Sequence, residues 1–149
     1  MARPARILTL LLVSAGLLLA APTPTSGPLI EKAGELGVGR MIADLPFADL
    51  TGKPHRLAEV SGAKGLVIAM SSSTCPISKR YLLSLRALEQ TLGAQGLALL
   101  IVNPMAGEKN EDVRTQLKEA GLASPYCHDL DATLAQALGA RTTAEVFLL

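Results

Sequence analysis

Residues 66–92 constrain the fold of this chain more than any other segment, because three distinct patterns follow one another there. Residues 66–70 form a short, partly β-branched apolar run, which indicates a strand buried on both faces. A polar turn follows at 71–74. Pro76 then suits the first position of a helix, and apolar residues recur at helical spacing at Ile77, Tyr81, Leu82, Leu85, Leu88 and Leu92. The segment therefore predicts a strand, a turn and an amphipathic helix in succession.

Cys75 lies at the junction of the predicted strand and helix. Unpaired N–H groups and the positive end of the helix dipole stabilise an anion there, which for cysteine is the thiolate. We expect Thr74, Lys79 and Arg80 to stabilise that thiolate and to keep it near solvent. The alternative is a small, buried and inert hydrophobic residue. Ser78 either donates its hydroxyl to the thiolate or is an ordinary serine of the first helical turn.

The N-terminus has the layout of a secretory signal peptide. Two arginines precede an almost purely apolar run at 7–21, and a stretch rich in Pro, Thr, Ser and Gly follows. The run is shorter than the roughly 20 residues that cross a bilayer, which favours cleavage over an uncleaved membrane anchor. We therefore expect a signal peptide at 1–21, a linker at 22–39 and one domain at 40–149, exported to a periplasm or secreted.

The composition argues against a nucleic-acid partner. Without Arg3 and Arg6 of the predicted signal peptide, the 14 basic residues become 12 against 13 acidic ones, so the net charge is −1. The charges form no basic stripe, and the aromatic residues of the expected domain are only Phe47, Tyr81, Tyr126 and Phe147. Two cysteines in an exported chain could form one disulfide or leave one reactive thiol, and they are too few for a disulfide scaffold.

Further strands are predicted on both sides of the central segment. A turn signal at 51–54 predicts a β-hairpin with arms at 47–50 and 55–57, in which His55 is expected on the surface. The apolar run at 97–102 indicates a second buried strand. Because a helix joins the two buried strands, the sequence predicts a parallel βαβ unit.

The C-terminal third predicts two shorter helices and two more strands. Residues 108–112 are interpreted as a solvated helix start with Asn110 as its N-cap, and a short strand follows at 126–128. Asp129 follows the end of this strand, and Asp131 is expected to cap the next helix. Both acids are therefore expected to have structural roles. A last strand is predicted at 145–149.

This succession of elements resembles the thioredoxin-like superfamily and, within it, the redoxin or AhpC/TSA branch of alkyl hydroperoxide reductases and thiol-specific antioxidants. The resemblance is carried by DLTGKPHRL at 49–57, SSSTCPISKRY at 71–81, HDLDATLAQALGA at 128–140 and TTAEVFLL at 142–149. It implies an α/β fold with a central, mostly parallel sheet, flanking helices and an N-terminal β-hairpin. Since the sequence ends on a predicted strand, we expect it either to be a fragment, with the domain at 40–149 incomplete at its C-terminus, or to lack the fold's C-terminal hairpin and helix.

Several positions depart from the motifs of that family. Ser78 stands where thioredoxins place the second cysteine of C-x-x-C, so self-contained dithiol exchange is not expected. The pattern Pro-x-x-x-Thr/Ser-x-x-Cys is matched at Ser72 and Cys75 but has Ile68 in place of the proline. At 143–144, Thr-Ala replaces the arginine and the cis-proline of the family, so we expect a trans peptide there.

By this resemblance Cys75, Ser78 and Ser72 are the candidate catalytic residues, and Cys127 is the possible resolving partner. The family's layout puts Cys127 on an edge strand about 10 Å from the central strand. A disulfide needs Cα atoms within about 7 Å, so a bond between the two cysteines would need the loop to move. Release by an external thiol or by a redox partner protein is the other route, and no cofactor is expected.

A non-enzymatic module, which docks a partner or handles Cu(I), is the alternative function. Thiolate, thioether and imidazole donors suit Cu(I), and the two cysteines, Met70, Met105 and His128 could supply them. Their spacing matches no compact ligand motif, so a resident metal is not expected.

Overall fold

The computed structural model of the chain describes Gly34 and residues 37–149. The predicted signal peptide at 1–21 and most of the predicted linker at 22–39 lie outside the described residues. Within the described residues, no helix has the length and apolar character needed to cross a membrane. In chain order the elements are β1 (Pro46–Ala48), β2 (Pro54–Arg56), α1 (Leu57–Val60), β3 (Gly65–Met70), α2 (Pro76–Gln95), β4 (Leu97–Asn103), α3 (Asn110–Ala120), β5 (Tyr126–His128), α4 (Thr133–Leu138) and β6 (Val146–Leu148).

The central sheet has four strands in the order β5-β4-β3-β6. β3 pairs in parallel with β4, which pairs in parallel with β5, whereas β6 runs antiparallel to β3. The predicted βαβ unit is therefore confirmed, with α2 joining β3 to β4. Because β3, β4 and β5 are parallel, the segments that follow Met70, Asn103 and His128 gather at one edge of the sheet.

The side chains of the central strands alternate between two hydrophobic cores, one on each face of the sheet. Val67 and Ala69 of β3 pack on the face that α2 and α3 cover, with Leu85, Leu92 and Val113 among its buried residues. Leu66 and Ile68 pack on the other face with residues of the hairpin, α1 and α4, including Phe47, Leu57 and Leu134. β3 is thus buried on both faces, as its uninterrupted apolar run predicts.

The N-terminal hairpin forms close to its predicted position. β1 and β2 pair antiparallel with Phe47 opposite His55, while Leu57 begins the short helix α1 instead of ending an arm. His55, expected on the surface, is only partly exposed. Its ring stacks on Phe47 with 5.4 Å between ring centroids, and its Nε2 lies 3.0 Å from Oδ2 of Asp49. Asp49 also accepts the N–H groups of Thr51 and Lys53, so its carboxylate holds the whole turn.

Each of the two predicted helix caps differs by one residue from the observed N-cap: Asn110 lies one residue after it and Asp131 one residue before it. Lys109 and Ala132, the latter in the left-handed region with φ 56°, are the N-cap residues of α3 and α4. The side chain of Asn110 donates instead to the carbonyl of Leu50, at 3.2 Å. The buried carboxylate of Asp129 accepts two N–H groups in the first turn of α4, at 3.0 and 2.8 Å. Asp131 accepts a third at 3.2 Å, in line with the structural roles expected for both acids.

Candidate active site

Cys75 occupies the junction between β3 and α2 and is the N-cap residue of α2, with extended backbone dihedrals. Pro76 takes the first helical position, where its missing N–H breaks no helical hydrogen bond. The carbonyl of Cys75 accepts the first intrahelical hydrogen bond, from the N–H of Lys79 at 3.0 Å. The thiol is partly exposed and forms no disulfide, so it is open to a reagent in solution.

Hydrogen bonds to the sulfur lower the pKa of the Cys75 thiol to about 7. The largest contribution comes from the hydroxyl of Thr143, whose Oγ1 lies 3.4 Å from Sγ. The backbone N–H and the hydroxyl of Ser78 follow, and together they outweigh the opposing effect of burial. These groups stabilise the thiolate as an anion at a helix N-terminus. The expected contributors Thr74 and Arg80 are not among the groups that lower this pKa.

Thr143 reaches the sulfur because the loop before β6 is tied to the end of β3. The N–H of Ala144 donates to the carbonyl of Met70 at 2.7 Å, and the N–H of Met70 donates to the carbonyl of Glu145 at 2.8 Å. Ala144 has φ 72°, a left-handed conformation uncommon for a residue with a side chain. All peptide bonds of the described residues are trans, so the expectation of a trans peptide at 143–144 is confirmed.

No local pattern in the sequence marks Thr143 as a neighbour of the sulfur. The sequence offers only an indirect indication of this contact. The family layout places this loop opposite the cysteine, and in this chain a threonine occupies the loop in place of the family's proline and arginine. A hydroxyl donor at this position is consistent with that layout. Contact between the two side chains still depends on the antiparallel pairing of β6 with β3.

Ser78 and Ser72 are both buried beside Cys75 but have different contacts. The Oγ of Ser78 accepts the N–H of Ser72 at 3.2 Å, so this hydroxyl keeps its proton available for the thiolate. The Oγ of Ser72 donates away from the sulfur, to Oε1 of Glu108 at 2.7 Å. The hydroxyl of Thr74 lies 3.0 Å from the same Ser72 Oγ. The structure therefore brings Ser78 to the thiolate and places Ser72 and Thr74 in the turn behind it.

Glu108 is a partly buried residue whose role the sequence does not predict correctly. The charged segment around it indicates a solvated helix start, yet its carboxylate accepts hydrogen bonds from Ser72, Ser73 and Tyr126. Burial raises the pKa of Glu108, but the donors from Ser72, Tyr126 and Ser73 outweigh it and hold the pKa below its ordinary value. The position of Glu108 after β4 is the feature of the sequence that could have predicted these contacts, because the loops after parallel strands meet at one edge of the sheet.

Cys127 lies on β5, opposite Val102 of β4, so β4 separates it from β3. It is 2% exposed and is a free thiol, like Cys75. Burial raises the pKa of the Cys127 thiol to about 12, and the negative charge of Asp129 adds to the increase. The edge-strand position expected for Cys127 is confirmed, and its sulfur is a protonated core group at neutral pH.

The side chains considered for Cu(I) lie on different strands and loops and differ in burial. Met70 is buried in the core at the end of β3, Met105 is exposed, and His128 lies on β5 beside Cys127. In the part of the chain that the structure describes, no group of three or more His, Cys, Asp or Glu side chains is placed to hold a metal ion.

A mostly apolar cavity of about 260 Å³ lies between α2 and β6 and reaches the surroundings of Cys75. Its lining includes Met70, Ser78, Tyr81, Ala144 and Val146. Cys75 itself is not a lining residue, but Ser78, which hydrogen-bonds its sulfur, is one.

Comparison with known proteins identifies the family. The model of the AhpC/TSA family matches residues 38–148. The chain belongs to the AhpC/TSA family. This membership confirms the resemblance to the redoxin or AhpC/TSA branch that is drawn from the sequence. No curated protein sequence matches the chain significantly.

Solved structures share the fold. A hypothetical protein of Sinorhizobium meliloti 1021 is 29% identical with a TM-score of 0.63, and the match covers 72% of this chain and 61% of that one. An uncharacterised conserved protein of Geobacillus kaustophilus is 22% identical with a TM-score of 0.62, covering 74% and 65%. The chain therefore spans less than two thirds of the length of either protein.

A more distant structural relative has a described activity. It is a secreted disulfide oxidoreductase of Mycobacterium tuberculosis, homologous to E. coli DsbE. It is 15% identical with a TM-score of 0.58, and the match covers 70% of this chain and 75% of that one. Together these similarities confirm the thioredoxin-like α/β fold.

Proposed function

We propose that this redoxin is an exported thiol redox protein in which the thiolate of Cys75 reacts with a peroxide or a disulfide. The proposal rests on the environment of the Cys75 sulfur. A partly exposed thiol lies at the N-terminus of α2 with the Thr143 hydroxyl at 3.4 Å. Its pKa of about 7 gives comparable amounts of thiol and thiolate at neutral pH.

Each substrate gives a defined product at the sulfur. With a peroxide, the thiolate attacks one oxygen and the O–O bond breaks. The other oxygen leaves and takes up a proton as water or alcohol, and Cys75 becomes a sulfenic acid. With a disulfide, the thiolate attacks one sulfur, the other sulfur leaves as a thiolate, and a mixed disulfide forms on Cys75. In this proposal Thr143 and Ser78 are the groups that stabilise the attacking anion.

Regeneration of Cys75 needs a second thiol. An external thiol attacks the sulfenic acid, releases water and forms a mixed disulfide, and another thiol then restores the Cys75 thiolate. Ser78 cannot supply that thiol. Cys127 is a weak candidate because it is buried and its raised pKa leaves almost no thiolate. We therefore favour an external thiol or a redox partner protein, with Cys127 acting only after β5 or its loops move.

Export is the second part of the proposal and rests on the N-terminal sequence. Residues 1–21 have a basic start followed by an apolar run, the layout of a cleaved signal peptide. Residues 22–39 then form the linker to the domain at 40–149. The structurally similar protein of Mycobacterium tuberculosis is described as secreted, which supports a periplasmic or secreted location.

The proposed chemistry is tested by treating the protein with hydrogen peroxide or with glutathione disulfide and locating the products by mass spectrometry. The expected products are a dimedone-reactive sulfenic acid and a glutathione adduct on Cys75, both absent from the Cys75→Ser variant. The Cys127→Ser variant should form both products like the wild type. A folded wild-type protein that forms neither product on Cys75 would refute the proposed function.

A further inference from the structure

We propose that Glu108 is the positioning residue of the active site, whose carboxylate fixes the turn at 72–74 and thereby holds Cys75 at the N-terminus of α2. The inference rests on the proposed function, because it concerns the same cysteine. Neither the motif around Cys75 nor the family match assigns a role to this position.

One carboxylate oxygen binds three consecutive residues that lead into Cys75. Oε1 of Glu108 accepts the hydroxyl proton of Ser72 at 2.7 Å and the backbone N–H of Ser73. The N–H of Thr74, at 3.3 Å, also points to this oxygen. Since Ser72 donates its only hydroxyl proton to Glu108, the Thr74 hydroxyl must be the donor in its 3.0 Å contact with Ser72. The turn is thus ordered around one anion.

The other carboxylate oxygen is anchored in the sheet. Oε2 of Glu108 accepts the hydroxyl proton of Tyr126 at 2.8 Å. Tyr126 is 4% exposed on β5, and burial together with the hydrogen bond to Glu108 raises its pKa, so the hydroxyl keeps its proton to donate. From α3, the side chain of Gln116 donates to the carbonyl of Ser73 at 3.3 Å. The turn therefore has fixed partners on two neighbouring elements.

Residues 72–74 also position two groups at the sulfur. The N–H of Ser72 holds the hydroxyl of Ser78, which is one of the groups that lower the pKa of Cys75. The carbonyl of Ser72 accepts the N–H of Cys75 itself at 3.3 Å. If the turn loses its carboxylate, Ser72 is released, and both connections to the cysteine weaken.

Removal of the Glu108 carboxylate should shift the pKa of Cys75 in opposite directions, depending on whether Glu108 acts by positioning the turn or only through its charge. A carboxylate near a thiolate repels it, so removal of the negative charge alone would lower the pKa of Cys75. Loss of the ordered turn would raise it, because the sulfur loses its donors. Other charged groups at this end of the sheet include Lys79 and Arg80 of α2, Lys109 beside Glu108, Asp129 after β5, and Arg141 and the hydrogen-bonded Glu145 in the loop before β6.

The experiment measures the rate of alkylation of Cys75 by iodoacetamide against pH, with the site resolved by mass spectrometry, in Glu108→Ala, Glu108→Gln and the wild type. Glu111→Ala is the matched control, since it removes an exposed acid of the same loop-helix segment. We expect Glu108→Ala to raise the apparent pKa of Cys75 by about one unit toward the free-thiol value of about 8.5. The rate at neutral pH should fall about fivefold as the thiolate fraction decreases.

Glu108→Gln keeps an acceptor for Ser72, Ser73 and Thr74 without the charge, so its Cys75 pKa should equal that of the wild type or lie slightly below it. An unchanged or lowered pKa in folded Glu108→Ala overturns the inference. If that variant does not fold, Ser72→Ala takes its place with a smaller shift in the same direction, and no shift there also overturns it. Alkylation needs neither peroxide nor disulfide, so failure of the proposed function is detected separately.

Discussion

The hydroxyl of Thr143 lies 3.4 Å from the sulfur of Cys75, although 68 positions separate the two residues in sequence. Thr143 precedes β6, and Cys75 follows β3, the strand with which β6 pairs antiparallel. The hydroxyl is the largest contribution to the lowered pKa of the thiol. A side chain from the far end of the domain thus completes the anion site that the helix N-terminus begins.

Replacement of Thr143 by valine should raise the pKa of Cys75, because valine keeps the β-branched shape but cannot donate a hydrogen bond. The pKa should rise by less than its total lowering, because the donors from Ser78 and Ile77 remain at the sulfur. The ultraviolet absorbance of the thiolate against pH measures it. Thr142→Val is the matched control, because its exposed side chain lies one residue away. Equal pKa values in the two variants would contradict the assignment.

The wild-type protein should show two cysteines with very different pH profiles. Because only the thiolate is alkylated and the pKa of Cys75 is about 7, its alkylation rate should rise with pH, reach half its maximum near pH 7 and then level off. Cys127, with its pKa raised to about 12 by burial, should stay unlabelled across the same range until the protein unfolds. Labelling of both cysteines at the same rate in folded protein would show that the site at the helix N-terminus does not make Cys75 more reactive than Cys127.

The sequence predicts those parts of the fold that are determined by residues close together in the chain. β3 follows from an uninterrupted apolar run, and the start of α2 follows from Pro76 and helical spacing. Cys75 at their junction can therefore be identified without the structure. The hairpin is also recognisable, but the position of His55 is not, because stacking on Phe47 depends on cross-strand register, which the turn signal alone does not define.

The residues that surround Cys75 and adjust its pKa are brought there by tertiary structure. Glu108 lies in a charged, polar segment whose composition is typical of a solvated loop, and only the parallel order of β3, β4 and β5 brings it to the turn before Cys75. Thr143 needs the antiparallel return of β6. Lys79 and Arg80 are the neighbours that sequence proximity suggests, yet both are exposed on α2. Proximity along the chain therefore identifies the nucleophile but not its main hydrogen-bond partners.

Ser78→Cys should convert the site into one that resolves its own mixed disulfide. The second cysteine of a C-x-x-C motif attacks the mixed disulfide on the first, releases the substrate as a thiol and leaves an intramolecular disulfide. When the reduced variant, freed of excess reductant, is mixed with one equivalent of glutathione disulfide, we expect an intramolecular disulfide and two equivalents of released glutathione, whereas the wild type should keep one glutathione adduct on Cys75. Ser84→Cys, an exposed position on the same helix, is the control and should keep the adduct on Cys75 like the wild type. Loss of the adduct from the wild type as fast as from the variant, followed by mass spectrometry, would show that another thiol already resolves it.

Two glycines should respond in opposite ways to substitution by alanine. A Cβ atom added at Gly62 would clash with the carbonyl oxygen of Gly96 and lie 2.9 Å from the backbone nitrogen of Ala98. Both contacts are with backbone, so neither can be relieved by rotation of a side chain, and the start of β4 would have to shift. Overpacking of this kind typically costs about 1–3 kcal/mol, so we expect Gly62→Ala to destabilise the protein by that amount.

Gly93, by contrast, lies on the exposed side of α2, where a Cβ atom would meet no other atom within 4 Å. Alanine is favoured over glycine inside a helix by about 1 kcal/mol, so Gly93→Ala should stabilise the protein by up to that amount. Thermal unfolding of the two variants against the wild type measures both effects, and a change of 1 kcal/mol corresponds to a Tm shift of about 2–4 °C at this length. A Gly62→Ala variant as stable as Gly93→Ala would show that the segment before β3 does not pack against β4 as described.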